Sequence, residues 1–82
     1  MDRKKAHEIV KDIQNSFWKA YISIVNTNDI ERFTADANKI MDRYQNEDDE
    51  EIRLFLNNTF LSWFGLALAI KNGHFDSREE NQ

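Results

Sequence analysis

The stretch from Ile52 to Ile70, IRLFLNNTFLSWFGLALAI, limits what this chain can fold into more than any other part of it. From Phe60 to Ile70 only Ser62 and Gly65 are not apolar. On a helix at about 100° per residue, Ile52, Leu56, Thr59, Phe60, Trp63, Ala67 and Ile70 share one face. Their steps of three and four mark a core-facing stripe. Leu54, Leu61 and Leu68 form a second set seven residues apart, with Phe64 and Gly65 beside them. This is heptad spacing, in a run shorter than the three or four heptads of a coiled coil. Ser62, Gly65 and Ala69 add a strip of small residues where another backbone can come close. Gly65 costs roughly 1 kcal/mol relative to alanine inside a helix, so a packing reason for it is expected. A helix that is apolar nearly all round is usually buried nearly all round. The pattern therefore predicts a helix covered on more than one side.

A membrane span needs about 20 mainly apolar residues. Arg53, Asn57 and Asn58 occupy the first half of this stretch, which leaves an apolar run too short to cross, so no span is expected. Met1 to Glu8 is charged, with no apolar region and small-residue cleavage site after it, so no signal peptide is expected. The 82 residues are expected to form one small domain, near the size limit for standing alone, and with no cysteine it has neither disulfides nor a thiolate metal site. Such unstapled domains are commoner inside cells, and the expected location is cytoplasmic. No prolines and two glycines leave few places to turn, which favours a few long helices.

Residues 2–25 read as the first helix, with Ala6, Ile9, Val10, Ile13, Phe17, Ala20, Tyr21 and Ile24 on one face. Trp18, Ile22 and Val25 fall on a flank of that helix. They fit either partial burial under the chain's own tail or loops, or a second interface, where tryptophan is enriched. Asn26 to Asp29 breaks the pattern with residues that favour turns and caps. Asn28 followed by Glu31 resembles a capping box, opening a second helix over 29–45. There Ile30, Phe33, Ala37, Ile40, Met41 and Tyr44 make a single stripe. The other face carries Glu31, Asp36 and Asp42, relieved by Arg32, Lys39 and Arg43.

Five consecutive carboxylates, Glu47 to Glu51, precede the apolar stretch. Helix capping accounts for them without any metal: Asp48 can cap a third helix over 48–72, Glu51 sits three residues later, and acids in a first turn complement the helix dipole. The run also lacks the glycine and spaced oxygen ligands of an EF-hand loop. Asn72-Gly73 is a stop signal with glycine at C′, and Lys71 suits the last turn. The domain is read as 1–73, with 74–82 a polar tail in which Phe75 folds back on the helix end.

No constellation with a chemical mechanism is present. His7-Glu8 opens like a zinc-protease motif, but Lys11 stands where the second histidine is required. Ser16, Ser23, Ser62 and Ser77 have no visible histidine and acid arrangement around them, and there is no glycine-rich phosphate loop. Two histidines do not make a well-formed zinc site. The expectation is therefore no enzyme, no cofactor and no metal. The net charge of −4 argues against direct nucleic-acid binding, and Arg3-Lys4-Lys5 is a short basic end without interleaved aromatics. A helix-turn-helix reader is disfavoured, because the third helix has only Arg53 and Lys71 as cations.

The expected fold is all-α, a three-helix bundle that associates into a larger helical dimer. The expected function is a protein-binding module that pairs with itself and with an unidentified protein. Self-association is placed on Leu54, Asn57, Leu61, Phe64, Gly65 and Leu68, with Asn57 setting register. The competing arrangement is a monomer whose first helix bends over both faces of the third. The alternative function is a small acidic inhibitor, of the kind mobile elements carry, that blocks a nucleic-acid-binding protein. Its support is residues 26–51, which carry −6, and its contacts are Glu31, Asp36, Asp42, Glu47, Asp49 and Glu50.

Overall fold

The helices begin where aspartates can accept a hydrogen bond from an unpaired backbone N–H. In the computed structural model, which describes residues 1–76, the elements are α1 (Arg3–Thr27), α2 (Ile30–Tyr44) and α3 (Glu50–Lys71). Asp2 caps α1 by accepting from the Lys5 N–H at 2.8 Å. Asp29 caps α2 through the Arg32 N–H at 3.0 Å, and Asp49 caps α3 through the Ile52 N–H at 3.1 Å. Both of the last two caps lie one residue beyond their sequence-based positions. Asn28 does not open α2. It closes α1 in the left-handed region at φ 59°, a conformation asparagine tolerates, with its N–H donating to the Ile24 carbonyl. Asp48 is likewise not the α3 cap, and its carbonyl accepts from the Arg53 guanidinium instead.

The end of α3 follows its sequence signal. Gly73 has φ 75°, its N–H donates to the Ile70 carbonyl, and the His74 N–H reaches back to the Ala69 carbonyl. These two bonds are the Schellman arrangement that satisfies carbonyls at a helix end. Phe75 does not fold back over α3. It is half-exposed and rests edge-on against the His74 ring. Residues 77–82, including Ser77 and the rest of the tail, lie outside the described residues.

The chain is an all-α three-helix bundle in which each helix packs on the other two. Phe17 lies against Phe60 and Tyr21 against Trp63, so α1 and α3 run parallel. Asp12, in the first half of α1, meets Arg43 and Tyr44 at the end of α2, so those two helices run antiparallel. The core draws Ile9, Ile13, Phe17, Ala20 and Ile24 from α1, Phe33, Ala37 and Ile40 from α2, and Ile52, Leu56 and Ala67 from α3. All of them belong to the stripes that the periodicity marks. Each fully buried large side chain contributes roughly 1.5–3 kcal/mol. Among the described residues no buried side-chain polar atom lacks a partner.

A polar clasp closes the α1–α2 edge. Asp12 accepts from the Tyr44 hydroxyl, from Arg43 at 2.6 Å and from the Ser16 hydroxyl. The Tyr44 hydrogen bond, joined by the Arg43 charge, holds the Asp12 carboxyl below its ordinary range against the opposing effect of burial. Burial and the neighbouring carboxylate push the Tyr44 phenol up.

Candidate functional site

The third helix is covered on one side only. Of its 22 residues only Ile52, Leu56, Thr59 and Ala67 are buried. The expectation of a helix enclosed on several sides is not met within one chain, because two neighbouring helices subtend only part of a helix's circumference. Leu61 is 63 % exposed, Leu54 47 %, Leu66 42 % and Leu68 38 %. Leu54, Leu61 and Leu68 line up with the exposed Asn57 and Gly65 as one strip along α3. A side chain at Gly65 would meet nothing within 4 Å, so the packing reason expected for this glycine is absent from the single chain.

Phe64 stands apart from the other seam residues. It stacks on Phe60 with ring centroids 5.6 Å apart and leans on Phe33 of α2 at 6.5 Å. Its half-buried ring is committed to the α2–α3 contact, so it borders the exposed strip without being available across its full area. Leu66 was not among the sequence candidates. With Phe55, Ser62, Trp63 and Gln14 it lines a shallow groove between α1 and α3. Its signal was its position off the core stripe, four residues beyond Ser62 and eleven beyond Phe55, which puts all three on one flank.

Trp18, Ile22 and Val25 are exposed on α1, as a second surface requires. Trp18 is nonetheless held in an aromatic cluster: its ring lies 5.8 Å from Tyr21 and 6.0 Å, edge-on, from Trp63. Trp63 also lines the Leu66 groove, so this α1 flank adjoins α3 through one shared ring.

The acids proposed for a basic partner do not form one face. Glu31 and Asp42 point outward from α2. Asp36 lies in a groove between α1 and α2 among Lys19, Arg32, Lys39 and Arg43. Asp49 is spent on its cap, and Glu50 is exposed in the first turn beside it. Glu47 is half-buried and borders a cleft with Met1, Lys5, Asp48 and Asp49, where its carbonyl accepts from Arg53. Lys5 borders the same cleft as these carboxylates, and Asp49 and Glu50 sit at the start of α3, where the helix dipole favours acids. Among the described residues no group of three His, Asp or Glu side chains is placed to hold a metal ion.

By length and composition α3 is apolar enough to cross a membrane, a test that the core helix of a soluble protein also passes. Unlike such a core helix, α3 has only 17 % of its most apolar window buried. The chain has no significant match to any protein family, curated protein or solved structure.

Proposed function

We propose that this chain is a non-enzymatic protein-interaction module that pairs with a second copy of itself through the outer face of α3. The observation that carries the reading is the strip of Leu54, Leu61 and Leu68, flanked by Leu66, left open on a helix whose inner face is already packed. Small monomers rarely leave contiguous apolar surface of this kind in water. A two-fold axis presents the same strip to itself. Gly65, with open space where a side chain would stand, lets two α3 helices approach closely, and the exposed Asn57 sets their register. Burying the exposed halves of these leucines in both copies supplies roughly 6–12 kcal/mol, estimated from the usual value per side chain. The cost of association is about 4–15 kcal/mol. The two are comparable, so leucine burial by itself makes a weak, concentration-dependent dimer.

Sedimentation equilibrium tests this directly. Wild type is expected to sediment as a dimer at high micromolar concentration, and Leu61→Asp as a monomer with unchanged helical circular dichroism. A wild type that stays monomeric at that concentration overturns the proposal. A dimer indifferent to Leu61→Asp moves the interface to Trp18, Ile22 and Val25. Flotation of the wild type, but not of Leu61→Asp, with phosphatidylcholine vesicles assigns the strip to lipid instead.

A further inference from the structure

The charge of this chain sorts itself in a way its net value of −4 hides. Residues 26–51 hold only three cations, Arg32, Lys39 and Arg43, and all three line the groove between α1 and α2. Lys19 reaches the same groove from α1. Asp36 is the only carboxylate among the groove's lining residues. Arg43 is bound to Asp12, whereas Lys19, Arg32 and Lys39 have no carboxylate within ion-pair distance among the described residues. The lining from α1 is otherwise small, Ser16, Ala20 and Ser23, which keeps the groove open and offers the Ser23 hydroxyl, Ser16 being held by Asp12 and Arg43. The outward acids of α2, Glu31 and Asp42, and the carboxylates of the 47–51 run lie elsewhere.

We infer that the α1–α2 groove docks a short acidic segment of a partner protein along Lys19, Arg32, Lys39 and Arg43. From Arg32 to Arg43 the groove runs about 16 Å at the helical rise. An extended peptide covers that in about five residues, with alternate side chains on one side. Three carboxylates spaced by two residues therefore match its length. Ala20 and Ile40, which floor the groove, are almost fully buried and offer little further apolar area, so binding rests on charge and is sensitive to salt. A nucleic acid fits less well. None of the lining residues is an aromatic on which a base could stack, and the net charge of −4 opposes a long polyanion. This surface is separate from the α3 strip, so its test does not depend on self-association.

The probes are a fluorescein-labelled decapeptide of alternating Glu and Ala and an equally labelled 15-nucleotide oligothymidylate, followed by anisotropy in low salt and then at rising salt. The peptide is expected to bind, to weaken steadily with salt, and to lose about tenfold or more in affinity to Lys19→Glu/Lys39→Glu. Both lysines are exposed, and unchanged circular dichroism of the variant verifies that the fold is retained. No peptide binding in low salt, or binding undiminished in the double variant, overturns the inference. Tighter binding of the oligothymidylate than of the peptide overturns it in favour of a nucleic-acid surface.

Discussion

The α1–α2 edge and the outer face of α3 are both open to water, but they are finished in opposite ways. The first is closed by Asp12, Arg43, Tyr44 and Ser16 and flanked by cations. The second is a strip of leucines with nothing against it. The helices behind them use the core similarly, since α2 buries three of its 15 residues and α3 four of its 22. Burial in this bundle is therefore set by how much of a helix two neighbours can reach and not by how apolar the helix is. What α2 leaves outside is polar and is readily hydrated, so exposure to water costs it little. What α3 leaves outside is apolar, and its cost in water is the argument for a partner.

The sharpest way to break this comparison is to cut two leucines that are two residues apart in sequence. Leu56 is 1 % exposed and Leu54 47 %. Leu56→Ala is expected to cost about 2–5 kcal/mol in unfolding experiments at any protein concentration. Leu54→Ala is expected to change the dilute monomer by less than about 0.5 kcal/mol. It should, however, flatten the rise of melting temperature with concentration that a dimer shows. Equal losses in dilute solution would mean that the α3 strip is already packed in the single chain.

Gly65→Ala gives a smaller effect of opposite sign. With open space at the site, the added methyl is expected to stabilise the dilute monomer by up to about 1 kcal/mol through helix propensity. In sedimentation it should weaken self-association, because the methyl stands where the second helix approaches. A variant that gains stability and keeps full association would place the close approach away from Gly65.

Asp12→Asn should have the smallest effect and belongs to the other surface. The Asp12 carboxyl titrates below its unfolded value, first because of the Tyr44 hydrogen bond and then because of Arg43. Its contribution is thus complete above about pH 4, where the unfolded carboxyl is ionised, and is lost as pH falls through the lower folded value. The pair is substantially exposed, so less than about 1 kcal/mol is expected. Acid titration of the melting temperature should show a shallower acid limb in Asp12→Asn. An identical limb in both proteins would make the clasp energetically silent.

The sequence by itself determined the helices, the stripes that meet and the stop at Gly73. Spacings of three and four, turn-forming residues and a glycine at C′ act within a few residues, and local rules reach that far. It determined the caps only to within one position, because Asn28 beside Asp29, and Asp48 beside Asp49, are both competent and the choice depends on where each helix's first turn is placed. Arg32, Lys39 and Arg43 are seven and four residues apart, a spacing that puts them on one face, but by sequence alone they read only as relief for the acids of α2. That this face meets Lys19 across a groove was not legible, since it depends on how α1 lies against α2. Tertiary structure alone decided that Phe64 turns toward Phe33, that Trp18 leans on Trp63, and that Leu54, Leu61, Leu66 and Leu68 are left outside. Periodicity shows which residues share a side of a helix. Whether that side is covered depends on the number and angle of its neighbours, and three helices leave one apolar side of α3 uncovered.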